Sequence, residues 1–507
     1  MIKIDLGCGP RKKSNKHIGI DIASMPGVDM TLDLEKGKLP FENNSVDEVV
    51  ASHCLEHIVN YMPLINEVWR VLKPEGRFEV KVPHYLHESA HTDPTHIRRF
   101  TPKSFDFFDE SKILFKESGW YLSPARFQIS NISDNGKEIA YDLRTKKKNI
   151  LLVGPRNSIH MGRWKNYLNS TSHNVNVASR QMGEHADYQL GYGEQSREDQ
   201  LDDLPSRLGE LLTSHNFDVV HAHFSTRYGH VLNAVPSGTR KVLSVWGEDV
   251  LDEANSDNKC REKLIAGIDS ADYITTTSMH MQDILVREHG VDKKNIWVIP
   301  WGYTENFFPR DVASDHKRLS ELGIGSREKI FLSARVCRPN NNIKQLIDGF
   351  IDSRVDGKLA VLTGNLQDKT YRERLEAKVS KNENVIFLPT VNEQDLSLLY
   401  NKAEATISLP YVDQLSTTVL ESLACGTPIV GSRIPVYQER ITDGVNGYFV
   451  NPDNIAEISK AIRSASESKE KMRAAAIDSV KNDSWLKNAN EMLKVYDIPK
   501  SAYDIFI

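Results

Sequence analysis

Three stretches of the 507-residue chain predict an α/β fold of three parallel-sheet lobes. The first starts with a strand over 2–6, enters the turn Gly7-Cys8-Gly9-Pro10, and reaches a second strand over 17–22 that carries Asp21. The second runs from an apolar strand over 149–153 into Gly154 and a helix. The third is a strand over 405–409, a polar loop, a helix expected from Thr417 to Gly426, and a strand over 428–430. Strand, loop, helix, strand is the unit of a parallel sheet, and its loops open at the carboxyl edge where ligands bind. The three lobes are therefore Rossmann-like.

The formal net charge of −5 argues against a nucleic-acid partner held by bulk charge. Five scattered cysteines with no CxxC pair point to a reducing compartment, not to a disulfide framework or a zinc site. The first residues lack signal-peptide character, and no apolar run approaches membrane-spanning length. A cytoplasmic protein with no transmembrane segment is expected. Peripheral membrane contact and oligomeric state are left open.

In the first lobe, the glycine turn is expected to open a helix, and an acid at the end of the second strand suits a ribose diol. The sequence Asp-Leu-Gly-Cys-Gly-Pro over 5–10 resembles motif I of class I S-adenosylmethionine-dependent methyltransferases, with Arg11 following where a third glycine is usual. Asp33-Leu34 with Leu39-Pro40-Phe41 looks like that family's adenine-edge segment. Residues 47–57 resemble its fourth strand and Leu-Glu-His helix start, and residues 67–80 its Arg-Val-Leu-Lys-Pro-Gly-Gly turn into the fifth. An NAD-binding domain lacks that last segment. The resemblance covers about residues 1–145 and implies S-adenosyl-L-methionine as cofactor. By carry-over it would lie against Asp5, Gly7, Gly9, Asp21, Asp33 and Leu34, with Asp21 on the ribose and Asp33 at the adenine amine.

Methyl transfer needs an in-line approach and often a base for the acceptor hydroxyl. Candidates are His53 and His57 near the fourth strand end, and His91 within the group His84, His87, His91, Asp93 and His96. That group is read as acceptor contacts or base, ahead of a plain surface loop and of a metal site. No metal is expected.

Segments 125–130 and 137–143 alternate enough to form a closing hairpin, and the boundary falls near Lys147. Beyond it, the third stretch carries Asp413 and Glu421 eight positions apart, flanking the amides of Ser416, Thr417 and Thr418. Amides at a helix start suit phosphate, and acids beside them suit hydroxyls, so a sugar nucleotide satisfies both. The stretch resembles the acidic-x7-acidic motif of retaining GT-B glycosyltransferases of family 4. There the first acid contacts the donor hexose and the second the ribose. Gln414 and Ser416 stand where that family has glycines.

The resemblance extends over about 148–507. Residues 154–168 look like the family's acceptor-facing opening, with His160 in it. Residues 218–224, with His221 and His223, and residues 244–249, with Trp246, read as strand ends. His221 and His223 also fit satisfied core histidines, and the strand-end position favours His223 in the cleft. Arg335 falls where the family holds the donor pyrophosphate, but Asn340 replaces its partner lysine, leaving Arg338 or Lys344 as substitutes. Backbone near Leu388 would pair with the base. Residues 485–496 look like the closing helix.

The expectation is a bifunctional enzyme: a methyltransferase domain over 1–147, an acceptor lobe over 148–310 and a donor lobe over 311–507. It would transfer a hexose from a nucleotide-sugar donor to a glycan or glycolipid acceptor and methylate a sugar hydroxyl of the same product. Arg335, Asp413 and Glu421 would serve the first reaction. The rival reading keeps one half as a non-catalytic binding scaffold.

Overall fold

The computed structural model describes residues 1–36, 38–171, 173–191, 203–364, 369–380 and 382–497. It divides into two compact units. One holds residues 1–222, 234–241 and the C-terminal residues from Met492; the other holds 223–233 and 242–491.

The first sheet comprises β1 (Lys3–Leu6), β2 (Ile18–Asp21), β3 (Met30–Thr31), β4 (Val46–Ser52), β5 (Leu72–Pro83), β6 (Phe127–Asp134) and β7 (Glu138–Thr145). Their order is β3-β2-β1-β4-β5-β7-β6, parallel except where β7 pairs antiparallel with β5 and β6. Helix α1 (Tyr61–Val71) buries Leu64, Ile65, Val68 and Trp69, a spacing that puts one apolar stripe against the sheet. Chain order reverses between β1 and β4, so their carboxyl ends flank a crevice.

Two sequence expectations change here. No helix separates β1 from β2: residues 7–17 form turns and bends. Pro10, Ser14 and Asn15 favour turns, and the intervening Arg11-Lys12-Lys13 offers no apolar stripe to bury. The Leu-Lys-Pro-Glu-Gly segment is also not a turn ahead of the strand: β5 starts at Leu72, and residues 73–76 bulge out of it as the pairing jumps from Val46–Leu72 to Glu48–Arg77.

Three residues, 146–148, link β7 to β8 (Asn149–Val153), and they are anchored. Lys147 Nζ sits 4.2 Å over the Trp69 ring and donates to Trp69 O (2.7 Å). Burial drives its ammonium down to about 7. The second sheet has β8, β9 (Asn174–Ser179), β10 (Tyr188–Gln189) and all but the last residue of β11 (Val219–His223) in the first unit, ordered β10-β9-β8-β11. In the second unit, which holds most of β12 (Arg240–Ser244) and all of β13 (Tyr273–Thr276) and β14 (Ile296–Val298), β13 pairs parallel with β12 and with β14. Helix α2 (Ile159–Ser170) follows β8 and is capped by Ser158, whose hydroxyl accepts from His160 N.

The third sheet lies wholly in the second unit: β15 (Ile330–Ser333), β16 (Lys358–Leu362), β17 (Val385–Leu388), β18 (Ala403–Ser408), β19 (Ile429–Ser432) and β20 (Gly447–Val450). All its pairs are parallel, in the order β17-β16-β15-β18-β19-β20, which puts the reversal between β15 and β18. Helices α3 (Ile343–Ser353), α4 (Thr417–Ala424) and α5 (Ile455–Val480) flank it, with apolar cores on both faces.

The last helix, α6 (Trp485–Asp497), ends in the first unit. There Asp497, 6% exposed, accepts from Arg126 (2.7 Å) and pairs with Lys148 (3.2 Å), while Tyr496 Oη and His221 Nδ1 lie 2.7 Å apart. Burial of Asp497 opposes its charge, but Arg126 and Lys148 hold it below the usual carboxylate range. His221 is thus a satisfied core histidine.

Candidate functional site

At the switch point of the third sheet, the segments leaving β15 and β18 carry Arg335 and Asp413. Arg335 grips Asp413 with both arms of its fork, Nη1 to Oδ2 at 2.9 Å and Nη2 to Oδ1 at 3.1 Å. Tyr437 Oη donates to Asp413 Oδ2 (2.8 Å), and burial pushes that phenol up, so it stays a donor. Burial also works against the Arg335 charge, but the neighbouring carboxylate raises its pKa nonetheless. The pair lines a cavity of about 630 Å³ together with Arg338, Asn340, Ser416, Thr417 and Thr418.

Ser416 is extended at the start of α4, and the first helical bond runs from Val419 N to Ser416 O. The amides of Thr417 and Thr418 precede that bond and have no intrahelical acceptor. Ser416 Oγ is buried without a hydrogen-bond partner. Guanidinium, helix-start amides and a hydroxyl line one cavity, an arrangement that suits an anion.

Trp246 lines the same cavity, with Glu248 and Asp252. Asp249, wholly buried, accepts from the amides of Trp246, Gly247 and Ser225, which pins the Trp246–Gly247 turn. Gly247 has φ +99°, and a Cβ there would lie 2.0 Å from Gln414 Cγ. Gln414 Oε1 in turn accepts from Thr277 Oγ1. Where the resemblance has a glycine, this chain therefore has a strut that packs onto the Trp246–Gly247 turn.

Other expected residues lie outside the cavity lining. Glu421 is 5% exposed, one turn into α4, with Tyr400 Oη donating to it (3.2 Å). The Leu388 carbonyl already accepts from both Thr363 N (2.9 Å) and Thr363 Oγ1 (3.1 Å). His223 is fully buried, its ring 6.1 Å from that of Trp246. His160 lies in the first unit, and burial pushes it down to about 3, so it is neutral at any working pH. Of the two substitutes for the missing lysine, Arg338 lines the cavity, whereas Lys344 is exposed on α3 beside Asp348 (3.1 Å).

In the first unit, Gly7 and Gly9 both have positive φ, +62° and +53°. A Cβ on Gly7 would strike the Cys54 side chain at 2.7 Å, whereas one on Gly9 would meet nothing within 4 Å. Gly7 thus serves packing, and open space adjoins Gly9. Asp21 Oδ2 accepts from Gly9 N (2.9 Å) and Oδ1 from Ala23 N (3.3 Å), which leaves lone pairs for a diol. Asp5 is buried and holds Lys13 N (2.6 Å); burial raises its carboxyl despite that bond. Asp33 accepts from Glu35 N, and Leu34 is buried beside it.

At the carboxyl end of β4, His53 Nδ1 meets Glu56 Oε1 (3.2 Å) and Nε2 meets Glu138 Oε2 (2.9 Å). The Glu56 bond, opposed by burial, lifts His53 above its ordinary value. His57, His96 and Glu56 come together, whereas His91 is tied to its own loop through Tyr85 O (2.9 Å). Nothing in the spacing signalled Glu56, because it looked like the middle of a helix-start motif.

Known protein families match the chain in three places. The description "Methyltransferase domain" fits residues 4–80, "Glycosyltransferase Family 4" fits 159–306, and "Glycosyl transferases group 1" fits 316–483. The chain carries a methyltransferase domain and a group 1 glycosyltransferase of the GT-B type.

The glycosyltransferase part is 26% identical over 194 residues to mannosylfructose-phosphate synthase of Agrobacterium fabrum, covering 36% of this chain and 42% of that protein. It is 24% identical over 256 residues to N-acetyl-alpha-D-glucosaminyl L-malate synthase of Bacillus anthracis, covering 48% and 64%. The chain thus spans about half the length of these curated relatives. Among solved structures, sucrose-phosphate synthase of Thermosynechococcus elongatus superposes with a TM-score of 0.58 at 17% identity, over 71% of this chain and 99% of that one. Anabaena HepE in complex with UDP gives 0.57 at 14%, over 68% and 98%. These two likenesses describe the fold.

The methyltransferase residues fit S-adenosylmethionine, given the open space at Gly9 and the Asp21 carboxylate beside it. When bound, that cofactor supplies an electrophilic methyl group on sulfur. Asp21 and the Gly7–Gly9 turn would hold it, and Asp33 and Leu34 would meet its base. Among the described residues, no helix is long and apolar enough to cross a membrane.

Proposed function

We propose that the chain is bifunctional: it transfers a hexose with retention from a nucleotide sugar to a glycan or glycolipid, and methylates a hydroxyl of the same product. The observation that carries the first activity is the Arg335–Asp413 fork at the sheet's switch point, lining one cavity with the start of α4. The departing diphosphate takes Arg335, with Arg338 replacing the absent lysine, and the Thr417 and Thr418 amides. Asp413, released from part of its fork or sharing it, contacts the hexose. Glu421 reaches the ribose by a rotation from Tyr400, and Trp246 borders the acceptor.

In the second activity, Asp21 and the glycine turn hold S-adenosylmethionine. The acceptor hydroxyl meets the groups at the end of β4. In domain terms the reading assigns 1–147 to methyl transfer, 148–310 to the acceptor and 311–507 to the donor. UDP is the first nucleotide to test, since the HepE complex contains it.

The test is incubation of the full chain with UDP-, GDP- and ADP-hexoses, with release of nucleoside diphosphate as readout. Donor-dependent release that disappears in Arg335→Ala supports the reading. No release from any donor, with and without oligosaccharide acceptors, sinks it.

A further inference from the structure

Around the first crevice, Glu56, His57 and His96 each offer one ligand atom, all within 4.8 Å of one another. Glu56 is 1% exposed, and its Oε2 is buried with no hydrogen-bond partner. His96 Nδ1 is likewise buried and unpartnered. An unsatisfied buried carboxylate oxygen is costly, and so is an unsatisfied imidazole nitrogen. The other His96 nitrogen is also beyond hydrogen-bond range of the nearby acids: His96 Nε2 lies 4.0 Å from Glu56 Oε1 and 3.8 Å from Asp93 Oδ2.

We propose that Glu56, His57 and His96 bind one divalent first-row transition-metal ion at the carboxyl end of β4. Two imidazoles and a carboxylate are a donor set for zinc, manganese or ferrous iron, and three protein ligands leave positions for water or an acceptor oxygen. The surrounding bonds are those that orient ligands. His57 Nδ1 lies 2.9 Å from Thr95 Oγ1, which leaves Nε2 for the ion. Thr95 Oγ1 is in turn held by Asp93 Oδ1 (2.6 Å), and Glu56 Oε1 by His53 Nδ1 (3.2 Å). Three ligand atoms must draw closer to bind at metal–ligand distances of about 2.0–2.2 Å. The freedom for that lies in residues 92–95, all exposed, which connect His96 to the rest.

The inference concerns metal binding, so it stands or falls apart from whether either transferase activity is found. The experiment uses the full chain, freed of any affinity tag and stripped with EDTA, and then titrated with Zn²⁺, Mn²⁺ and Co²⁺. Calorimetry and elemental analysis after gel filtration report the stoichiometry, and the visible cobalt spectrum reports the coordination. About one ion per chain is expected, with a nitrogen-containing cobalt site. His96→Ala and the milder His57→Gln should each weaken binding about 10–100-fold or abolish it, while His87→Ala should leave it intact. Circular dichroism without metal identifies any variant that has not folded. Retention of less than about a tenth of an ion per chain by the wild type overturns the proposal. So does wild-type affinity in both folded histidine variants.

Discussion

The Arg335–Asp413 fork makes the donor site testable without knowing the donor. Asp413→Asn keeps the side chain's shape and the Tyr437 hydrogen bond, but removes the charge and turns an N–H towards the guanidinium. The side chains of Arg335 and Asp413 are 17% and 11% exposed, so the cation is left without its counter-ion in a mostly desolvated place. Breaking a buried pair costs about 3–5 kcal/mol, and this pair opens onto a cavity that water enters, so about 2–3 kcal/mol is expected. That corresponds to a fall of roughly 5–10 °C in the melting transition of the second unit. Saturating UDP should recover more of this loss in the variant than it adds to the wild type, because diphosphate oxygens replace the missing carboxylate at Arg335. In the double variant Arg335→Met/Asp413→Leu neither charge is stranded, so its loss should fall short of the sum of the single losses. The assay is thermal unfolding of wild type, Asp413→Asn, the matching singles Arg335→Met and Asp413→Leu, and the double, each with and without UDP. Losses that add to within about 0.5 kcal/mol, with no differential UDP effect, would refute the coupling and the anion site with it.

Glu421→Ala should weaken donor binding by about 1–3 kcal/mol, read as KM or a dissociation constant, and leave methyl transfer unchanged. Asp21→Ala should weaken S-adenosylhomocysteine binding to the full chain by about 1 kcal/mol or more in calorimetry, and equal affinity removes Asp21 from the site. Hexose release is expected to persist in EDTA, because Arg335 and the helix-start amides meet the phosphate charge; strict dependence on added magnesium counts against that. His173 is buried and pushed down to about 3, chiefly by burial. Between that value and 6.5 the unfolded chain binds a proton that the folded chain does not, so stability rises with pH across this window. The ceiling is about 5 kcal/mol, and His173→Gln should flatten the slope of denaturation midpoint against pH from 6.5 downward.

Periodicity and local turn chemistry determined most of the architecture. Apolar strands ending in Gly7, Gly154 and the loop before Thr417 announce parallel sheets, because these signals lie within a few residues of one another. The same locality revealed Arg335, Asp413 and the helix start, which in the structure line one cavity. Where local signals were weak, the reading erred: residues 7–17 were expected to include a helix, although their charged run has no stripe to bury.

Tertiary structure alone decided the rest. It withdrew His221 and His223 into the core, put Lys344 on an exposed helix face and used the Leu388 carbonyl to hold Thr363. It made Gln414 a strut, because the matching space is supplied by Gly247, 167 positions earlier. It also brought Asp497 to Arg126, 371 positions apart, and gathered Glu56 with His57 and His96. Such contacts depend on how chain ends and loops return to one point in space. No local spacing encodes that return, because the burial that makes these partners matter exists only after folding.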